Sequence, residues 1–290
     1  MPETNATAPR FAVGNALFGP LVPDHLKIIA ADGYAGIEPY RGMMMDYVDR
    51  PRLFKDLLDQ NALTVCTISN GGPGMAVDFI DPDRRRQSID DHVAFTRDVL
   101  AVLGCRYFKI NMGARPKAGT TDAEVGAIAD SLNELGRETA KLGVKLAPHP
   151  HIWGPVERPH EVRRLLDMTD PDYVGFIPDT AQLNLGGGDP VELIVDYYDR
   201  ISAVHWKDTK ASYRGYTGPT PTQEQHRQAI LYKDMGHGGV DLPRIWEFLL
   251  SRGYTGWITL DLDPPRPAEG EGTATEKLAI NTRYLHDTLG

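Results

Sequence analysis

The chain has 290 residues, 41% of them hydrophobic, and its 31 Lys and Arg against 40 Asp and Glu leave a net charge of −9. That is enough apolar material for one large core or two small ones, and an acidic chain without a basic stretch is a poor partner for nucleic acid or anionic membranes. Two cysteines, Cys66 and Cys105, cannot build a disulfide framework; MPETNATAPR lacks the apolar centre of a secretory signal, no run approaches the roughly 18 apolar residues of a membrane helix, and a soluble cytoplasmic protein is expected.

Short apolar runs alternate with longer amphipathic ones. FAVGNA (11–16) reads as a strand, followed by a helix near 22–31. GIEPY (36–40) precedes a helix near 51–60, and LTVCTIS (63–69) one near 87–103. YFKINMG (107–113) leads to AIADSLNELGRETAKLG, where Ile128, Leu132, Leu135 and Leu142 share a face and Gly143 ends the pattern. VKLAPH (144–149), VGFIPD (174–179) and ISAVHWKD (201–208) are the next strands, with helices near 159–168 and 190–198 between them. A long polar connection, 209–236, separates the seventh strand from LPRIWEFLLSRG, whose Leu242, Ile245, Trp246, Leu249 and Leu250 form an apolar face. GWITLDLD (256–263) is the eighth strand, followed by the loop PPRPAEGEGT and a helix near 275–288.

Strands rich in Val, Ile and aromatic residues suit burial on both faces, as in a parallel sheet. Eight strand–helix alternations over 1–290 predict a single α/β domain, a (β/α)8 barrel with a long loop after strand seven. The alternative, a doubly wound open sheet, lacks a GxGxxG after an early strand. Segment 209–236 is expected over the barrel mouth as a lid, or at an oligomer contact.

Barrel enzymes work at the C-terminal ends of their strands. Those ends here carry Glu38, Lys109 and Asn111, His149 and His151, Asp179, His205 and Lys207, and Asp261 and Asp263. Buried charges of this density must pair or bind a cation. His149, Asp179, His205 and Asp261 come from four consecutive strands and offer two imidazoles and two carboxylates. Such a set suits Mn2+, Fe2+, Co2+ or Zn2+ better than Ca2+, with Asp263 as the substitute for Asp261. Mn2+ is the first expectation and Mg2+ a further alternative. His151 projects beyond the ligand strand and is the candidate base. Lys109 would orient or stabilise a substrate oxygen, Glu38 would touch substrate or hold Lys109, and His237 would close on substrate from its loop. Trp153 and Trp206 would offer apolar faces to a sugar ring.

In order, GIEPY, KINMG, KLAPHPH, PDTAQL, VHWKD and GWITLDLD resemble the xylose isomerase-like TIM barrels over almost the whole chain, and VHWKD followed by GHGGVD (236–241) is the more specific pair. The histidine-rich HPH and the DTAQLNLGGGDP run (179–190) are most similar to the inosose (2-keto-myo-inositol) dehydratases within that group. The resemblance implies metal ligation by His149, Asp179, His205 and Asp261. It also implies a lyase that dehydrates a keto-inositol or keto-sugar through a metal-stabilised enediolate. Isomerases and epimerases of the group typically carry glutamates where this chain has His149 and Asp261, so elimination from one face fits better than epimerisation. A ketose isomerase or 3-epimerase, a lyase of 3-keto-C- or O-glycosides and a non-catalytic complex subunit are the alternatives. The expected partner is a small polyol or keto-sugar, with a homo- or hetero-oligomer compatible with the fold.

Overall fold

The computed structural model describes residues 8–267 and 270–289. Its centre is a ring of parallel staves. Five are consecutive neighbours in one ladder, Thr64–Val65, Gly36–Glu38, Arg10–Gly14, Trp257–Leu260 and Ala203–Trp206. Ile68–Ser69, which continues the stave begun by Thr64–Val65, forms a second ladder with two more, Tyr107–Ile110 and Lys145–Pro148. Isolated parallel bridges join the two, Tyr40 to Ser69 on one side and, through residues 174–179, Leu146 to Val174, Phe176 to Ile201 and Asp179 to His205 on the other. The first stave pairs with the last, Arg10 opposite Trp257. That closure makes the chain a (β/α)8 barrel and excludes the open sheet.

Two staves differ from the expected continuous strands. The third breaks at Cys66 and Thr67, so that its halves serve different neighbours. The sixth, 174–179, forms bridges rather than a ladder: Pro178 has no amide to donate toward the seventh stave, and Pro148 of the fifth has none to donate toward the sixth. It is still fastened on both sides, by Gly175 N to Leu146 O (2.7 Å) and His205 N to Pro178 O (2.9 Å).

Side chains alternate in and out along a stave. Outward positions such as Ile37, Phe108, Leu146, Phe176, Val204, Ile258 and Leu260 join the main core under the helices. Inward positions Ala12, Cys66, Ala147, Ile177, Ala203 and Trp257 make a separate plug inside the ring. Two residues further along the same inward rows stand His149, Asp179 and His205, with Asp261 four beyond Trp257. The alternation that fills the barrel thus delivers the polar residues to its C-terminal mouth.

The helices begin where a proline removes an amide that would go unpaired or a side-chain cap supplies its partner. Thr121 caps Asp122–Ala140 with Glu124 returning the bond, and Thr273 and Glu276 do the same for Ala274–Tyr284. The helix expected from 87 starts at Pro82, since Asp81 accepts from Asp83 N at 2.9 Å and Pro82 fits the first turn. No helix among the described residues is long and apolar enough to cross a membrane.

Segment 209–236 is folded and lies beside the mouth cavity rather than across it, with Ile230, Tyr232 and Lys233 lining a small adjoining pocket that also takes in Lys207, Asp261 and Asp263. Asp208–Thr209 pairs antiparallel with Tyr232–Lys233, and Gln223–Gln228 is helical. Its middle leans on the loop after the fifth stave: Trp153 Nε1 donates to Pro221 O (2.7 Å), Arg158 Nη1 to Gly218 O (2.9 Å) and Thr220 Oγ1 to Glu157 Oε1 (3.0 Å). The segment buttresses that loop, and none of its residues lines the cavity at the barrel mouth.

Candidate active site

The mouth holds a cavity of about 410 Å3. At its floor His149, Asp179, His205 and Asp261, all buried, bring one ligand-type atom each to within 4.8 Å of one another. The nearest separations are 3.4 Å (His205 Nδ1 to Asp261 Oδ2), 3.5 Å (His149 Nε2 to Asp179 Oδ2) and 3.7 Å (His205 Nδ1 to Asp179 Oδ2). Ligands about 2.1 Å from one tetrahedral ion stand about 3.4 Å apart, so the spacing fits a transition-metal ion.

Each of three ligands is oriented by its second polar atom. Asp179 caps the helix Thr180–Leu185, its Oδ1 accepting from Ala181 N and Gln182 N at 2.9 Å each, which leaves Oδ2 to the cluster. His205 Nε2 donates to Glu38 Oε2 at 2.8 Å, which turns Nδ1 inward. Asp261 Oδ1 accepts from Tyr40 Oη at 3.1 Å. Among the described residues, His149 Nδ1 and Nε2, Asp179 Oδ2 and His205 Nδ1 are buried without any hydrogen-bond partner. Such atoms are costly to bury unless a cation or a proton engages them.

Charge points the same way. Four carboxylates, Glu38, Asp179, Asp261 and Asp263, face two ammonium groups, Lys109 and Lys207. Burial opposes charge on His205, yet Glu38 pushes it up to about 10, so an imidazolium offsets one of the two negative charges left over, and a divalent cation displacing that proton would cancel both. Burial works against ionising Asp179, yet the nearby imidazoles of His149 and His205, at 3.5 and 3.7 Å, hold it well below the usual carboxylate range. Burial likewise opposes charge on Glu38, but His205 and Lys109 bring it down to about 2. Burial and then Lys109 push His149 down to about 3, which keeps its lone pairs available for ligation.

The expected residues are not all in the expected places. His151 lines the cavity; its Nδ1 lies 2.6 Å from Ile152 O, so that nitrogen carries the proton and Nε2 the lone pair. Lys109 also lines the cavity and donates to Glu38 Oε1 (2.6 Å) and Tyr40 Oη (2.9 Å). Glu38 does not reach the cavity wall. Fully buried, it is shared by Lys109, Thr67 and His205, so it acts through His205 and Lys109 rather than by touching substrate. Asp263 is taken by Lys207 Nζ at 2.8 Å and stays outside the cluster. Trp206 points outward against Trp246 and offers no face to the cavity, whereas Trp153 lines it.

His237 is exposed and off the cavity wall. Its loop is wrapped around buried Asp208, which accepts from Gly236 N (3.1 Å), Gly238 N and Val240 N (2.9 Å each). The VHWKD and GHGGVD motifs therefore meet in a structural clamp. Tyr40 and Lys207 are the residues whose roles the sequence reading missed. Both lie two residues beyond an inward-facing site residue, Glu38 and His205, and that register was the available signal.

The sequence model of the xylose isomerase-like TIM barrel family matches residues 26–280. The chain belongs to this family. Inosose dehydratase of Geobacillus kaustophilus (strain HTA426) is 34% identical over 174 residues, 58% of this chain and 56% of that protein. Inosose dehydratase of Lacticaseibacillus casei is 31% identical over 152 residues, 49% of this chain and 48% of that one. The chain thus spans about half the length of the curated relatives it matches. Among solved structures, the IOLI protein with a binding zinc atom shares the fold, with a TM-score of 0.77 at 17% identity, over 97% of this chain and 98% of that one.

Proposed function

We propose that the chain is a divalent-metal-dependent carbon–oxygen lyase that dehydrates a keto-inositol or a related keto-sugar. The observation that carries this reading is the cluster of His149, Asp179, His205 and Asp261 on four adjacent staves, three of them with unpartnered buried ligand atoms, beside a cavity where His151 presents a free Nε2. His149, Asp179, His205 and Asp261 would hold the ion. Their mixed nitrogen and carboxylate set suits Mn2+, the ion we propose first, and equally Co2+, Fe2+ or Zn2+, with Mg2+ a further candidate. Bound there, such an ion supplies Lewis acidity to a substrate carbonyl, making the adjacent carbon a stronger acid.

The chain's own groups do the rest. His151 Nε2 takes the α-proton. A carbon–carbon double bond forms, the β-carbon–oxygen bond breaks, and the imidazolium returns its proton to the departing oxygen, which leaves as water. Lys109, Asn111 and Lys207, all on the cavity wall, donate hydrogen bonds to the remaining oxygens. Lys207 is suited to this: burial works against its charge, but Asp261 and Asp263 keep it an ammonium well past the ordinary lysine range. The similarity to inosose dehydratases over half their length supports the substrate class.

The test is to incubate the metal-loaded protein with 2-keto-myo-inositol and follow product mass. Loss of one water, abolished by chelation and restored by Mn2+, is expected. Unchanged mass with a new stereoisomer would replace the dehydratase by an isomerase or epimerase.

A further inference from the structure

His151 serves as a base only while its ring keeps one orientation. Its Nδ1 lies 2.6 Å from the carbonyl oxygen of Ile152, the next residue along the chain. A ring bonded to its own neighbour is no steadier than that neighbour. Two bonds inside the loop, His151 N to Val156 O (3.2 Å) and Gly154 N to His151 O (2.9 Å), shape it without tying it to the metal ligands. The tie comes from Gln182. Its Oε1 accepts from Ile152 N at 3.2 Å and from Tyr232 Oη at 2.9 Å. A backbone N–H only donates, so the oxygen of the carboxamide faces Ile152, not its nitrogen. On the far side of Ile152, Trp153 N donates to Glu157 Oε2 at 2.7 Å. The Ile152 side chain is itself buried with Ala181, Leu185, Leu231 and Tyr232.

Gln182 stands on the helix Thr180–Leu185, whose cap is Asp179. Asp179 Oδ1 accepts from Ala181 N and Gln182 N, while its Oδ2 belongs to the ligand cluster. One turn of helix therefore joins a metal ligand at its start to the residue that holds the loop of the base. Gln182 is buried and off the cavity wall, so it does not touch substrate. Its Nε2 is buried without a hydrogen-bond partner, which is unfavourable. An apolar side chain of the same size would avoid that penalty, so the carboxamide is there for its oxygen.

We propose that Gln182 is a positioning residue that sets His151 against the metal ligands, with Tyr232 orienting its carboxamide. This rests on the lyase reading above, in which His151 is the base. The α-proton and the carbonyl that the ion would polarise belong to one substrate, so the base has to keep its place relative to the ligands. A displacement of about 1 Å costs about 100-fold in turnover.

Gln182→Met removes the acceptor, and the unpaired Nε2 with it, at similar volume. It should lower kcat on 2-keto-myo-inositol at least about tenfold, with KM and Mn2+ affinity in a chelator competition unchanged. A merely structural role would move those two as well. Nitrogen-15 NMR of the Zn2+-loaded protein reads the ring itself, with the His151 signals assigned by their absence from His151→Ala. The wild type should carry its proton on Nδ1, and Gln182→Met should shift it toward Nε2. Tyr232→Phe keeps the aromatic ring and removes one donor to Gln182. It should move kcat and the nitrogen signals in the same direction, and it carries the test if Gln182→Met does not fold. Unchanged kcat, His151 signals identical to wild type in the folded variants, or a loss of metal affinity that matches the loss of turnover overturns the positioning role. Failure of the wild type to dehydrate 2-keto-myo-inositol removes the lyase reading alone, because the nitrogen signals report the orientation of His151 without turnover.

Discussion

His151 and Glu38 carry the sharpest residue-scale predictions. His151→Ala keeps the four ligands and should retain metal and fold while losing about 10²–10⁴ in turnover, the usual contribution of a general base; unchanged turnover, measured at equal metal occupancy, would return His151 to an ordinary loop residue. Glu38→Gln loses the carboxylate that turns His205 Nδ1 toward the cluster. It should weaken metal affinity about 10- to 100-fold in a chelator competition, the usual effect of losing a ligand's supporting partner. Affinity equal to wild type would mean that His205 needs no such support. The clustering of His149, Asp179, His205 and Asp261 was readable from the sequence because strand-end position is nearly all that convergence at the barrel mouth requires. Glu38 was readable as a substrate contact or as the partner of Lys109, and the second agrees with the structure; its bond to His205 was not readable, because whether a carboxylate meets a neighbouring histidine depends on barrel curvature. His237 was misplaced for a related reason: order along the chain says nothing about which way a loop turns, and Asp208 turns this one away.

Among the elements, Asp208 and the loop it gathers decide the geometry behind the seventh stave. Asp208→Ala leaves the amides of Thr209, Gly236, Gly238 and Val240 without their acceptor. Hydrogen bonds to a charged group each contribute about 1.5–3 kcal/mol. With water compensating part of the loss, the variant should be destabilised by about 3 kcal/mol in urea unfolding. A midpoint equal to wild type would make the motif's aspartate dispensable to the fold. Element type was clear from apolar periodicity, and the start at Pro82 was also available in the Asp81–Pro82 pair. The path of 209–236 was not, because its anchors are backbone carbonyls of Pro221 and Gly218, which any residue supplies. Nor was the sixth stave's lack of a ladder, which depends on Pro178 meeting a neighbour's register.

At the scale of the whole molecule, stability should fall in mild acid. His92 lies buried between Phe79 and Phe108, with Asn70 Nδ2 2.9 Å from its Nε2 and its Nδ1 2.6 Å from Ser88 O, so it folds as a neutral ring. Burial lowers its pKa to about 4, against about 6.5 when exposed. The unfolded chain therefore binds the proton first. The stability is fully present above about pH 6.5 and is lost as pH falls through 4, by about 3 kcal/mol. Urea midpoints between pH 7 and 4.5 should fall less steeply in His92→Asn than in wild type; parallel slopes would assign the acid sensitivity to other groups. Barrel closure followed from the count of eight alternations, whereas the tie from Gln182 to the loop of His151 needed the loops in place. The central claim is that proton transfer at this site is one-sided and ends in elimination. The most direct measurement is turnover of 2-keto-myo-inositol by the metal-loaded protein in D2O, followed by NMR. The account predicts a dehydrated product and no deuterated epimer of the starting ketone; an epimer carrying deuterium at the inverted carbon, formed at the rate of turnover, would contradict it.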